Sequence, residues 1–154
     1  MRLKRYQWVH ILLLLFACFA MANKAYAQKA ALDGLWLQID DGDGRPLSII
    51  RLRSKGELLT GNVAEIFLPP GMQEPKCAHC EGNRAGKPIR GMQILSVKNS
   101  KEREWGGVVF DPVAGKEYKC LLKLDPVGNR LYLRGYVGIP SIGRTQIWRR
   151  FGAL

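Results

Sequence analysis

The stretch KEYKCLLKLDPVGNRLYLRGYV, residues 116–137, predicts two antiparallel β-strands joined by a tight turn. In its first half apolar and polar residues alternate, with Leu121 as the exception. The second half alternates in the same way from Leu131 to Val137. Between them, residues 125–129 read DPVGN, which are residue types typical of a turn. Because side chains along a strand point alternately to its two faces, the pattern predicts a sheet with one apolar face.

Turn signals recur at short intervals on both sides of this hairpin. Further strands are predicted at residues 35–39, 47–53, 58–67, 105–110 and 144–150. Gly61 marks a bulge or bend within the third of these segments. Residues 91–97 fit either a strand or one short helix, and a long proline-rich connection at 68–90 precedes them. Seven or eight antiparallel strands in about 120 residues predict an all-β fold, a single antiparallel β-barrel, because closure removes the sheet edges.

Residues 1–27 have the three parts of a secretory signal peptide. They are a start with three basic residues, an apolar run at 11–22 and the small-residue ending Ala25-Tyr26-Ala27. We expect cleavage after Ala27 and export to the periplasm or the extracellular space. A lipid-attachment box ending at Cys18 is one alternative, for which Phe16 is bulky. An uncleaved anchor is the other, for which the apolar run is short.

The remaining residues, 28–154, are enough for one domain and too few for two. The chain has 24 Lys and Arg against 13 Asp and Glu, a formal net charge of +11. Four of the basic residues precede residue 28, so the predicted domain carries +7. Its apolar content excludes a disordered chain.

The basic residues of the domain form two clusters along the chain. These are Arg84, Lys87, Arg90, Lys98, Lys101 and Arg103, and then Arg130, Arg134, Arg144, Arg149 and Arg150. Such residues favour an anionic envelope surface such as lipid head groups or cell-wall polymer. A solvated basic face without a partner is the alternative. An exported protein rarely meets nucleic acid, so we expect no partner of that class.

Cys77-Ala78-His79-Cys80 is the sharpest local motif. The two thiols can close a disulfide that staples the long loop, or share a metal such as zinc with His79. Redox activity and free thiols are further alternatives, although no helix follows the motif. Cys120 lies on the apolar side of its strand, which favours a small buried residue. The odd count leaves open a bridge from the loop to Cys120. Apart from zinc at this loop, no cofactor is expected.

Catalytic groups are scarce. His79 is the single histidine in residues 28–154, and no serine lies in a G-x-S-x-G elbow. Asp111 and Asp125 each precede a proline, where Asp commonly initiates a turn. We therefore expect a protein that is not an enzyme.

The two ends of the predicted barrel carry tryptophan. Trp36 follows Gly34 at the start of the first strand, and Trp148 comes just before Arg149 and Arg150 in the last. A plain core tryptophan is the simplest interpretation of each. Together they also suit a closure in which an arginine stacks on the ring of Trp36.

These pieces occur in one order along the chain. In sequence they are Gly34-x-Trp36, Gly61, Cys77-x-x-Cys80, Gly91-Met92-x-Ile94-Leu95, Trp105-x-Gly107, Asp111-Pro112-x-x-Gly115-Lys116-x-Tyr118, Leu133-Arg134-Gly135-Tyr136-x-Gly138 and Gly143-Arg144-Thr145-x-x-Trp148-x-Arg150. The set, over about residues 33–151, resembles a family of small exported bacterial proteins classified only as a domain of unknown function. The resemblance implies a compact lipocalin-like barrel with an internal pocket for a small, apolar or lipid-like ligand.

The resemblance thus implies an exported binding protein, whose ligand would lie against inward side chains of the barrel. Candidate ligand-binding residues are Trp36, Trp105, Tyr118, Arg134, Tyr136 and Trp148. Arg134 would hold an acidic head group if it points inward, although the alternation pairs it with Tyr132 and Tyr136. The alternative is an envelope interaction module that uses its basic outer surface and has no pocket.

Overall fold

A computed structural model of the protein describes residues 32–101 and 104–152. The predicted signal peptide and Arg103 of the first basic cluster lie outside these residues. The described chain forms eight strands. They are β1 Gly34–Ile39, β2 Pro46–Lys55, β3 Leu58–Ile66, β4 Gln93–Lys101, β5 Glu104–Asp111, β6 Lys116–Leu124, β7 Arg130–Tyr136 and β8 Gly143–Gly152. No helix in this part of the chain is long and apolar enough to cross a membrane.

The strands close into one barrel in chain order, each antiparallel to the next, with β8 paired to β1. The predicted all-β antiparallel barrel is therefore confirmed, with the upper of the two expected strand counts. A register shift between Gly61 and Asn62 confirms the bend predicted in β3. Of the two alternatives predicted for residues 91–97, the short helix is wrong. That segment enters β4, which pairs with both β3 and β5 and buries Leu95 and Val97 at strand spacing.

The barrel interior is filled by large side chains over most of its length. Trp36, Trp105 and Trp148 are each at most 1% exposed. Leucines and isoleucines from the other strands surround them, including Ile50, Leu52, Leu95, Leu122 and Leu131. Burial of this many aliphatic and aromatic side chains, at about 1.5–3 kcal/mol each, is the main stabilising contribution to the fold.

The two ends of the barrel differ in their connections. Because neighbouring strands are antiparallel in chain order, the loops after β1, β3, β5 and β7 share one end. We call it the open end. The other, closed end is covered by Leu32, a fully buried residue just before β1. Its carbonyl oxygen accepts a hydrogen bond from Trp36 Nε1 at 2.9 Å.

The long β3–β4 loop folds back on the barrel wall. Cys77 and Cys80 form a disulfide with 5.3 Å between their Cα atoms, and Cys120 is a separate, buried thiol. A bridge from the loop to Cys120 is therefore excluded. Cys77 is fully buried, and its backbone nitrogen donates to Lys87 O at 2.9 Å. The loop also contains one short 3₁₀ helix, Gly82–Arg84.

The loop reaches both the outer face of β5 and the β5–β6 turn. The guanidinium carbon of Arg84 lies 4.2 Å from the ring centroid of Phe110, which β5 presents outward. At the turn, Gly115 has a positive φ of 67°, and a Cβ there would collide with His79 O. The glycine thus permits both the turn and the close approach of the cysteine loop.

Candidate functional site

The inward-facing side chains become more exposed toward the open end of the barrel. In β6, Cys120 is fully buried, whereas Tyr118, two residues nearer the open end, is half-buried. In β8, Trp148 is 1% exposed, whereas Gln146 is half-buried. The interior is therefore tightly packed toward the closed end, and its inward side chains become partly exposed at the open end, a region that we call the cup.

One wall of the cup is polar. Gln38 of β1 donates through Nε2 to Gln146 Oε1 of β8 at 3.1 Å, and Ser48 Oγ of β2 donates to Gln38 Oε1 at 2.7 Å. Ser48 is only 7% exposed, so its hydroxyl needs this partner. Three neighbouring strands thus place two amides and a hydroxyl inside the barrel mouth.

The facing wall is more apolar and comes from β5, β6 and β7. Val109 and Tyr118 are register partners, and both are half-buried. Gly135 stands beside them: a Cβ built on it would lie 3.7 Å from Val109 Cγ1 and 4.0 Å from Tyr118 Cβ. These are ordinary van der Waals distances, so the glycine leaves room in the cup without a collision.

Trp148 adds a buried donor next to the polar wall. It pairs with Gln38 in the β1–β8 register. Its Nε1 is buried and has no hydrogen-bond partner among the residues that the structure describes. An unsatisfied buried N–H costs about 1–3 kcal/mol, so a water or ligand acceptor at this position would stabilise the site.

The rim of the cup carries exposed apolar side chains from three loops. They are Phe67 and Met72 after β3, Val113 after β5, and Val137, Ile139 and Ile142 after β7. The last of these loops is held in shape by Arg134, which donates to Pro140 O, Ser141 O and Thr145 Oγ1 at 2.5, 3.0 and 2.9 Å. Exposed apolar patches at an opening commonly mark a binding site.

The structure distributes the predicted ligand-binding residues over three environments. Tyr118 lies in the cup wall and Trp148 next to it. Trp36 and Trp105 are packed in the core. Arg134 and Tyr136 lie on the outer face, opposite Leu131 and Leu133. An inward Arg134 holding a head group is thus corrected: strand alternation turns it outward, where it supports the β7–β8 turn.

Three residues of the polar wall were not predicted from the sequence. Gln38 lies two residues after Trp36, Gln146 two before Trp148, and Ser48 two before Ile50. Each therefore shares the inward face of a buried residue. A polar residue at an inward strand position next to a turn was the signal that could have identified them.

The cysteines and acids of the described residues show no metal centre. No group of three or more His, Cys, Asp or Glu side chains there is arranged to hold an ion.

Burial raises the pKa of the Cys120 thiol to about 12, so it stays neutral. At the β1–β2 turn, hydrogen bonds from the Gly42 and Asp43 amides lower the pKa of Asp40, which keeps that carboxylate charged.

Comparisons with known proteins agree with this architecture. The model of the family DUF2147, described as an uncharacterized protein conserved in bacteria, matches residues 34–150. Among solved structures, the chain is similar to protein HP1028 from the human pathogen Helicobacter pylori, which belongs to the lipocalin family. The TM-score is 0.66 at 14% identity, over 79% of this chain and 83% of that one. At this identity the likeness shows the fold. No functionally curated protein matches the chain.

Proposed function

The chain belongs to the bacterial family DUF2147, and from its lipocalin-like barrel we propose that it is an exported protein that binds one small amphipathic molecule at the open end. One observation carries the proposal. The cup combines an inward amide and hydroxyl wall with a rim of six exposed large apolar side chains. Small-molecule sites typically have this composition, apolar surface with a few converging polar groups.

The two walls suit the two parts of such a ligand. An aliphatic or aromatic portion would contact Val109 and the ring of Tyr118. A carbonyl, hydroxyl or acidic group would exchange hydrogen bonds with Gln38, Gln146 and Ser48.

The packing of the core limits how far a ligand enters. Trp36, Trp105 and Trp148 occupy the interior below the cup. An eight-stranded barrel is wide enough either for its own side chains or for one small ligand. A long acyl chain would therefore remain partly outside, against the apolar rim, while its polar end occupies the cup.

Export is part of the proposal. The signal-like residues 1–27 support it, and so does the Cys77–Cys80 disulfide, because such bonds persist in oxidising compartments.

Mass spectrometry of one sample under native and denaturing conditions tests the binding function. The protein is purified without reducing agent from the exported fraction. We expect a native mass that exceeds the denatured mass by a few hundred daltons, as a bound organic molecule would add. Extraction of that sample then identifies the ligand class.

A pair of glycine variants locates the site. Gly135→Leu, on β7, projects a side chain into the cup. Gly106→Leu, on β5, projects the same side chain to the outside of the barrel, where a Cβ has ordinary contacts. We expect a fluorescent long-chain carboxylic acid to lose at least tenfold in affinity for the first variant and to bind the second like the wild type. Equal binding by both variants, with no native mass excess, would contradict the proposal.

A further inference from the structure

A second concave surface lies on the outer wall of the barrel. A groove of about 330 Å³ runs between β2, β3 and the segment that leads into β4. Arg51, Arg53 and Arg90 line it, and none of its lining residues is acidic. The rest of its lining is Asn62, two aliphatic residues and Gly91.

The register of the sheet brings two of the arginines to the same face. Arg51 and Arg53 are two residues apart on β2, so their side chains project in one direction about 7 Å apart. Arg51 is the direct partner of Asn62 on β3. Both arginines are exposed, and neither side chain has a hydrogen bond or ion pair within residues 32–101 and 104–152.

Arg90, the third arginine of the groove, is paired with two carboxylates. It donates from Nε to Glu74 and from Nη1 to Glu65, at 2.5 Å each. Asn62 Nδ2 donates to Gly91 O at 3.1 Å, and Gly91 N donates to Val63 O at 2.7 Å. Gly91, the residue after Arg90, is therefore fixed to β3, and Arg90 Nη2 makes no hydrogen bond within the described residues.

From this arrangement we propose that the groove binds a phosphate group, carried by a soluble organic phosphate or by a phospholipid head. The guanidinium groups of Arg51 and Arg53 present several N–H donors beside Arg90, which is already paired with Glu65 and Glu74. Guanidinium is the side chain that best matches phosphate oxygens. A tetrahedral oxyanion can accept from three directions, whereas a carboxylate offers two coplanar oxygens. The volume fits one phosphate with a small organic group attached. This site is independent of the cup and of its ligand.

The proposal is tested by titrating inorganic phosphate into isotope-labelled protein that has been purified from the exported fraction. We expect saturable shifts in the backbone amide signals of Arg51, Arg53, Asn62 and Gly91. The Arg51→Ala, Arg53→Ala double variant should bind phosphate at least tenfold more weakly. Both residues are exposed on one strand, so an unchanged circular dichroism spectrum would verify the fold.

A charge-matched variant distinguishes binding in the groove from a general effect of net charge. Lys116→Ala, Lys119→Ala removes the same charge from exposed positions on β6 and should bind phosphate like the wild type. Arg51→Lys, Arg53→Lys keeps the charge without the planar fork and should bind with intermediate affinity. Equal weakening in both alanine double variants, or acetate that binds as tightly as phosphate, would overturn the proposal.

Vesicles distinguish the two sources of phosphate. Phosphatidylcholine vesicles with and without phosphatidylglycerol are mixed with the protein and sedimented. Retention that depends on phosphatidylglycerol and is reversed by free phosphate indicates a lipid head group. Binding of free phosphate without retention on vesicles indicates a soluble organic phosphate. Absence of any saturable phosphate binding would refute the site, whatever ligand occupies the cup.

Discussion

The guanidinium carbon of Arg150 lies 4.3 Å from the centroid of the Trp36 indole ring. This contact joins the last strand of the barrel to the first at the closed end. The same arginine donates from Nε to Gly128 O at 2.7 Å, which also connects the β6–β7 turn to this contact. The pKa of Arg150 is lowered, mainly because burial removes water from the charged guanidinium. The cation–π closure predicted from the two ends of the sequence is thus confirmed.

Replacement of Arg150 should open this closure. Arg150→Ala removes the cation–π contact, the hydrogen bond to Gly128 O and the packed aliphatic stem, so we expect a loss of about 2–3 kcal/mol in the free energy of unfolding. Urea denaturation measures it. The control Arg149→Ala removes a neighbouring exposed arginine and should change stability by less than about 0.5 kcal/mol. Equal effects of the two substitutions would show that the closure contributes nothing specific.

Gly61 is required by the packing of the interior. A Cβ at this position would lie 2.8 Å from Leu52 Cδ2 and 2.9 Å from Leu95 Cβ. We expect Gly61→Ala to destabilise the barrel by about 1–3 kcal/mol through overpacking. Gly135→Ala, whose Cβ has ordinary contacts, should leave stability within about 0.5 kcal/mol of the wild type. Thermal unfolding compares the two, and a stable Gly61→Ala protein would argue against a rigid contact there.

Arg134 should control the motion of the β7–β8 turn rather than the stability of the whole barrel. Arg134→Ala removes three hydrogen bonds to an exposed loop. We expect faster hydrogen exchange at the amides of residues 139 and 141–143 and a global loss of about 1 kcal/mol or less, because the lost bonds are solvent-exposed. Arg130→Ala, on the same face of β7, serves as the control. Unchanged exchange at these amides would mean that the turn holds its shape without the arginine.

The buried thiol of Cys120 makes stability depend on pH above 9. Its pKa is about 12 in the folded protein and 9.0 in an exposed thiol, so the unfolded chain releases this proton first. The contribution is complete below pH 9 and is lost as the pH rises toward 12. We expect wild-type stability to fall faster than that of Cys120→Ala, by at most about 1.4 kcal/mol per pH unit. Denaturation at pH 8, 9, 10 and 11 measures both, and parallel curves would contradict a buried neutral thiol.

The Cys77–Cys80 disulfide should stabilise the protein modestly. It closes a loop of only four residues, for which chain entropy gives roughly 2 kcal/mol. We expect a reducing agent to lower the free energy of unfolding by that amount and to speed hydrogen exchange in the β3–β4 loop. The Cys77→Ala, Cys80→Ala variant should not respond to the reducing agent. A response in that variant equal to the wild type would assign the effect to something other than this bond.

The candidate site shows how far strand alternation can be read. It correctly placed Cys120 inward and grouped Arg134 with Tyr132 and Tyr136 away from the core. It could not say whether Trp36 and Trp148 would line a pocket or fill the interior, because both lie inward in either case. That choice depends on how the side chains of eight strands divide one enclosed volume.

Local pattern by itself determined the strands, the turns and the all-β class, because period-two alternation and turn residues act over a few neighbours in the chain. The ordered motifs added the family and its barrel. Only the tertiary structure decided the cup of Gln38, Ser48 and Gln146, and the groove of Arg51, Arg53 and Arg90. Their members are brought together by register between strands and by a loop that folds back on the wall. Such distances depend on barrel closure and on long-range pairing, which no local stretch of sequence encodes.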